Sequence, residues 1–438
     1  MRLLMTTAAL ATFASWTVPA LAQQTSASGA KSQGAEPSLS EQLDAAAGKA
    51  VPSSGAPPAA APEGASRGFF QSLNPDISVI VTGAAGYSQR APLLPSGDDP
   101  DLKGSLTERS AGITLQELEL GFQSIVDPYF RADVFLTIPN LSALEIEEAF
   151  LTTTSLPAIQ IKAGIFRSAF GRQNGMHLHV QDFVQRPLIN AAYLGFDGLR
   201  PPGVQVSWLL PLPFFVQLIG EAFSVSPPET STAPGTFQPL PSFGGGSRTD
   251  LTYTGALKFF VPPSESISIL GGLNFATGLS PGLTSGDTIS HRGARTLLYG
   301  ADFYFKYKPP NQAVTYFSLA WTTEYFLRTI GSTATENGLT DGGLYTQLVM
   351  QFARRWFLGL RQDLLGIPSS DVQPRISRTT LDLTFYPSEF SKLRASAGYE
   401  VPDSQAARIK ELSLPHVNSF MAYLQFEVAI GAHGAHKF

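Results

Sequence analysis

Beyond residue 68, apolar and polar residues alternate with period two almost to the C-terminus, in runs of about ten to fourteen residues. Soluble strands average about five or six residues, whereas a strand crossing a bilayer at a tilt needs about nine to eleven. In Thr114 to Val126, Leu118, Leu120 and Phe122 share one face, and Glu117, Glu119 and Gln123 share the other. In Tyr129 to Ile138, Phe130, Val134, Leu136 and Ile138 oppose Arg131, Asp133 and Thr137. Asp127-Pro128 joins the two as a tight turn. The result is a hairpin with one apolar and one charged face. No helical period persists beyond two turns anywhere in this region.

The same pattern predicts sixteen strands: 77–89, 113–126, 129–138, 145–155, 158–170, 203–210, 214–224, 250–260, 266–277, 295–308, 313–327, 342–353, 356–364, 375–386, 391–401 and 416–430. Connections alternate between tight and long. Six of the seven tight turns carry proline: Pro128, Pro157, Pro211 with Pro213, Pro262 with Pro263, Pro309 with Pro310, and Pro387. The seventh runs through Arg354-Arg355. Long polar stretches, such as 90–112, 171–202, 224–249 and 278–294, join the opposite ends. Short turns at one rim and long loops at the other are the signature of a closed, even-stranded transmembrane barrel. The expected fold is therefore all-β, a closed antiparallel transmembrane β-barrel of about sixteen strands.

Rival architectures fit less well. A propeller would repeat a blade motif, and a sandwich would shorten the strands. Residues 201–220 are uncharged and long enough for a spanning helix, but Pro211 and Pro213 sit at the centre and the flanks alternate as a hairpin. Glycine (40) and proline (33) are also too abundant for a helix-rich chain. Charged residues make up 15%, well below the roughly 25% of soluble domains. A net charge of −5 leaves no basic surplus for a phosphate backbone, so nucleic acid is not an expected partner. The absence of cysteine removes disulfides, thiolate metal sites and cysteine nucleophiles together.

The N-terminus reads as an export signal over residues 1–22. Met1-Arg2 is the positive start, Leu3 to Val18 the apolar stretch, and Ala20-Leu21-Ala22 the small-residue cleavage site. Residues 23–67, rich in Ala, Pro, Ser and Gly, lack any lasting apolar period and are expected to form a disordered leader on the periplasmic side. The barrel then occupies 68–430, with 431–438 as a C-terminal tail.

The signal, the alternating strands and the aromatic last strand resemble a Gram-negative outer-membrane porin. More narrowly, KAGIFRSAFG at 162–171 resembles a strand-and-loop motif of the phosphate-selective porin O/P group. FFQSLNPDISVIVTGAAGY from Phe69, Asp127-Pro128-Tyr129-Phe130, and HLHVQDFVQRPL at 177–188 are similar to uncharacterised porin-like proteins. The resemblance implies a barrel in the cell outer membrane, reached after signal-peptide export. Its implied surroundings are the lipid bilayer with lipopolysaccharide, the outer-membrane insertion machinery and a homotrimer. It implies passive diffusion of small hydrophilic solutes or ions through a water-filled channel. The alternatives are a substrate-specific anion or metal transporter and a non-conducting structural barrel.

The expected pore-lining charges are Glu117, Glu119, Arg131, Asp133, Lys162, Lys258, Asp302, Lys306, Lys308, Arg361, Arg378, Lys392 and Arg394. Adding Glu221, Glu324, Asp363, Asp382, Glu400 and Glu427, the polar faces hold nine basic and ten acidic residues. So balanced a wall departs from the basic ladder of phosphate-selective relatives and points to weak selectivity. Two arrangements fit it: a transverse field across the lumen, with Arg378, Lys392 and Arg394 as one basic patch, or pairing of charges across neighbouring strands.

The loop from Gly171 to Pro202 carries Phe183, Leu188, Ile189 and Tyr193, too many apolar anchors for a free loop. Folded inward, it would narrow the pore with Arg172, Asp182 and Arg186; folded outward, it would cap the rim or a neighbouring subunit. His177 and His179, near Asp182, alone have metal-ligand spacing, but no third and fourth ligand is evident, so no metal and no cofactor is expected. No G-x-S-x-G, H-E-x-x-H or phosphate-loop motif occurs, and the chain is not expected to be an enzyme.

Overall fold

A computed structural model of the protein describes residues 75–89, 110–226, 241–247, 249–285, 288–310, 316–370, 372–373, 375–403 and 418–431. The expected signal peptide and leader, and the tail after Gly431, lie outside these residues. Among the described residues the chain runs through β1 (Asp76–Ser88), β2 (Ser110–Ile125), β3 (Phe130–Pro139), β4 (Glu145–Thr153), β5 (Ile159–Ile165), β6 (Pro202–Leu209), β7 (Phe215–Phe223), β8 (Thr252–Ser264) and β9 (Ile267–Leu279). A small hairpin of β10 (Leu283–Ser285) and β11 (Thr288–Ser290) follows. Then come β12 (Arg295–Tyr307), β13 (Ser318–Ile330), β14 (Leu339–Ala353), β15 (Trp356–Ser370), β16 (Ile376–Ser388), β17 (Ser391–Pro402) and β18 (Ser419–Gly431).

Apart from the small hairpin, each strand pairs antiparallel with its neighbours in sequence, and β1 pairs with β18 to close a sixteen-stranded barrel. Closure leaves no free edge strand of the kind lipid would not tolerate. The expected fold class holds, with the turn between β2 and β3 at the rim shared by the start of β1 and the end of β18.

The last strand shows why this sequence closes outward-apolar. Phe420, Leu424, Phe426, Val428 and Ile430 are exposed, whereas Met421, Tyr423, Gln425, Glu427 and Ala429 between them are buried. Exposed aromatic side chains gather toward both ends of the wall. Phe130, Phe214, Phe317, Phe352, Trp356 and Phe390 lie at the tight-turn rim, and Tyr253, Phe275, Tyr299, Tyr325, Tyr399 and Phe420 toward the long-loop rim. Two such girdles flanking an apolar band match a bilayer with its two interfaces.

Several strands differ from their expected extents, β15 running on to Ser370 rather than residue 364, and β5 differs most consequentially. β5 ends at Ile165 rather than at residue 170. Gly164 has φ +140°, and a Cβ there would collide with the Ala149 carbonyl oxygen and with Phe150. That conformation turns the chain off the wall after only four paired positions with β4.

Leu424, 58% exposed near mid-strand, tests the outward face. Leu424→Arg is expected to cost about 2–4 kcal/mol, the cost of a cation facing lipid near the midplane. Reversible unfolding from lipid vesicles measures it; unchanged stability would mean this face does not meet lipid.

Candidate functional site

The segment released after Ile165 folds into the barrel and remains there until β6. It comprises a 3-10 turn at Gln173–Gly175, a second at Leu178–Val180, and the short helix α1 (Leu188–Leu194). Its neck is closed by Asn174, which is fully buried. The Asn174 amide nitrogen donates to the Ser168 and Leu199 carbonyls at 2.8 and 3.1 Å, and its oxygen accepts the Leu199 N–H at 2.8 Å. The Ser168 N–H also donates to the Leu199 carbonyl at 2.8 Å.

An irregular segment in this position must satisfy its backbone groups from its surroundings, and the inner wall supplies partners of both signs. Wall carboxylates accept loop N–H groups. Glu148 takes that of Arg167 at 2.6 Å and Glu221 that of Ala169 at 2.9 Å. Glu324 takes those of Arg172 and Gln173 at 2.6 and 2.8 Å. Asp382 takes that of Val184 at 3.3 Å and Asp363 that of Leu188 at 3.0 Å. Wall cations donate to loop carbonyls: Lys258 to Gly171 at 2.8 Å, Lys392 to His179 at 2.7 Å, Arg394 to Gln181 at 2.6 Å and Arg361 to Gln185 at 2.7 Å. These bonds come from strands around most of the circumference. On one side α1 packs its apolar side chains with Phe170, Leu199 and Phe243 against Ala276, Leu298, Phe326, Tyr345, Leu365 and Ile376 of the wall.

The wall charges are also paired with each other. Arg131 meets Asp133 at 2.7 Å, Lys258 meets Asp302 at 2.8 Å, and Arg361 meets Asp363 at 2.8 Å. Arg378 meets Glu400 at 2.6 Å, and Lys392 meets Glu427 at 2.7 Å. The basic patch of Arg378, Lys392 and Arg394 is thus not a naked one: two members have carboxylates and the third bonds Gln181 and Gln425. Lys162 lies 4.3 Å from the Phe150 ring centroid. Lys306 and Lys308 sit half-buried at the tight-turn end of β12, the latter just past the strand.

The three loop charges fare differently. The Arg172 guanidinium is partly exposed and lies 3.9 Å from the Tyr304 ring centroid. Asp182 is exposed and accepts a hydrogen bond from the Gln347 amide at 3.1 Å. Arg186 is only 1% exposed and donates to the Met176 carbonyl at 3.0 Å. Its expected place at the constriction is therefore corrected: it braces the loop from within.

His177 and His179 are brought together, though by a 3-10 turn rather than an extended segment, and Asp182 is not with them. Their neighbours come from the wall. Nδ1 of each lies 3.2 Å from Glu119 Oε2, and His177 Nε2 lies 2.7 Å from Glu148 Oε2. Glu147 and Glu148 had no distinguishing signal, because strict alternation would turn only one of two adjacent residues inward. A register shift between Phe135 and Leu136 bulges β4 at Glu147, so both carboxylates reach the interior. A second shift, in β2 at Gln116, does the same beside Glu117. Glu119, His177 and His179 together could hold a metal ion.

No family model matches the chain. An uncharacterised protein of Aquifex aeolicus (strain VF5) is 34% identical over 405 residues, spanning 83% of this chain and 80% of that protein. Among solved structures the barrel is similar to OprB of Pseudomonas putida (TM-score 0.55, 10% identity, 82% of this chain and 94% of that one). It is also similar to an anion-selective porin from Comamonas acidovorans (TM-score 0.52, 10% identity, 81% and 99%). The outer membrane channel DcaP of Acinetobacter baumannii gives a TM-score of 0.50 at 11% identity, over 81% and 97%. At these identities the likeness is one of fold.

The neck supplies a direct test of the loop's anchoring. Asn174→Ala removes three buried hydrogen bonds, at roughly 1 kcal/mol each. Stability is expected to fall by about 3 kcal/mol, with new protease cleavage between residues 171 and 201 of the still-folded barrel. An unchanged urea midpoint would show that the neck does not hold the loop.

Proposed function

We propose that this chain, which belongs to the same family as the uncharacterised Aquifex aeolicus protein, is an outer-membrane porin for passive diffusion of small hydrophilic solutes or ions. The observation carrying this reading is the inserted loop itself. Its apolar side chains pack on several sectors of the wall, and among its charges Arg172, Asp182, Asp197 and Arg200, two of each sign, reach solvent. A constriction bearing both signs orients polar solutes without excluding either kind of ion. The finer resemblance to phosphate-selective porins draws little support from the wall, whose cations are mostly paired with carboxylates or bonded to loop carbonyls.

Export by the N-terminal signal, contact with lipopolysaccharide, insertion by the outer-membrane machinery and a homotrimer belong to the same proposal. Cross-linking of the native membrane protein tests the trimer. The second reading, a non-conducting structural barrel, has one observation in its favour: most inner charges are buried beneath or beside the loop.

Planar-bilayer recording separates the two. The protein is expected to open channels with a small reversal potential in a salt gradient; absence of channels would leave the structural barrel. Lys392→Glu with Arg394→Glu replaces two donors to loop carbonyls by carboxylates that repel them. Conductance is expected to rise with a shift toward cations. Strong anion selectivity of the native channel, or no change in the variant, would contradict this account.

A further inference from the structure

Where the loop meets β2 and β4, we infer a divalent transition-metal site, ligated by His177 and His179 of the loop and by Glu119 and Glu147 of the wall. The inference concerns binding alone and holds whether or not the barrel conducts.

Three of the separations among these atoms suit a coordination shell. A tetrahedral ion with bonds of about 2.0–2.1 Å to nitrogen and oxygen separates its ligands by about 3.3 Å. His177 Nδ1 and His179 Nδ1 each lie 3.2 Å from Glu119 Oε2, and His177 Nδ1 lies 3.3 Å from Glu147 Oε2. Glu147 Oε2 is buried and receives no hydrogen bond from the described residues.

The carboxylates around the His177 ring make it a place for a cation. The His177 ring faces three carboxylates, with Nε2 against Glu148 and Nδ1 against both Glu119 and Glu147. A dication at this place could meet both carboxylates and the second imidazole as well. The His177 Nε2–H donating to Glu148 at 2.7 Å is the outer-sphere contact that orients a ligating imidazole and leaves Nδ1 for the ion. The local charge agrees. Glu117 also comes within reach of Glu119 and Glu147, and among these carboxylates Arg167 pairs with Glu147. The excess is negative.

Two imidazoles with carboxylates select a borderline ion such as Zn²⁺ over Ca²⁺ or Mg²⁺, which prefer all-oxygen shells. Two of the wall's register shifts occur at this place, one adding Glu147 to the interior and the other lying beside Glu117. Bulges that re-aim side chains are characteristic of functional sites. A bound ion would join loop to wall at β2 and β4.

The test is Zn²⁺ titration against a competing chelator, using the untagged full chain folded in detergent with His433→Ala and His436→Ala to silence the tail. One equivalent is expected, with first-shell distances of about 2.0–2.1 Å by X-ray absorption. His177→Gln and His179→Gln should each weaken binding by more than Glu148→Gln, for which roughly 10–100-fold is expected. Ca²⁺ should not compete, and His291→Ala should bind as the parent does. Heat-modifiable gel migration confirms that each variant is a closed barrel. Absence of saturable Zn²⁺ binding by the folded protein, or binding unaffected by both histidine variants, would overturn the inference.

Discussion

Each peptide group of a loop folded into a closed barrel carries a donor and an acceptor that must be satisfied there, and the remainder of this interior follows from that need. Five wall carboxylates, Glu148, Glu221, Glu324, Asp363 and Asp382, accept loop N–H groups. Four wall cations, Lys258, Arg361, Lys392 and Arg394, donate to loop carbonyls. Backbone offers donors and acceptors in nearly equal number, so a wall that holds it needs both signs. The near balance of basic and acidic residues on the inner faces is then a consequence of the loop. Hydrogen bonds to charged groups contribute about 1.5–3 kcal/mol each, which makes a wall of this kind a strong cradle for irregular chain.

The same requirement separates the two faces of every strand. Outward positions meet lipid and carry no obligation beyond being apolar, as Leu393, Tyr399, Leu424 and Phe426 show. Inward positions on the same strands hold Lys392, Arg394, Gln425 and Glu427, all buried. Pairing within the wall then trims whatever charge the loop does not use, as with Arg378 and Glu400.

The strands, their faces and the closure are legible in the amino-acid sequence because they depend on a period of two and on prolines at the tight turns. The departure of the loop is not, since it turns on the backbone of Gly164, which reads there as one more small residue in an alternating run. Phe183, Leu188, Ile189 and Tyr193 do announce a packed loop, and all four are buried. What they cannot announce is which wall they meet. Arg186 reads as a pore charge and proves internal, because burial depends on how the loop folds back on Met176. Glu147 is the hardest case. Its inward aim comes from a bulge, a register property of two strands that no local pattern records. Glu119 and His177 are 58 positions apart and meet only after both the barrel and the loop have formed.

Hydrogen exchange of the folded protein in micelles, resolved to single amides, tests the cradle most directly. The amides of Ala169, Arg172, Gln173, Val184 and Leu188 end on wall carboxylates. The account predicts that they exchange as slowly as the ladder amides of β13 and β15. Exchange of these five at the rate of a free loop, with the strands still protected, would contradict it.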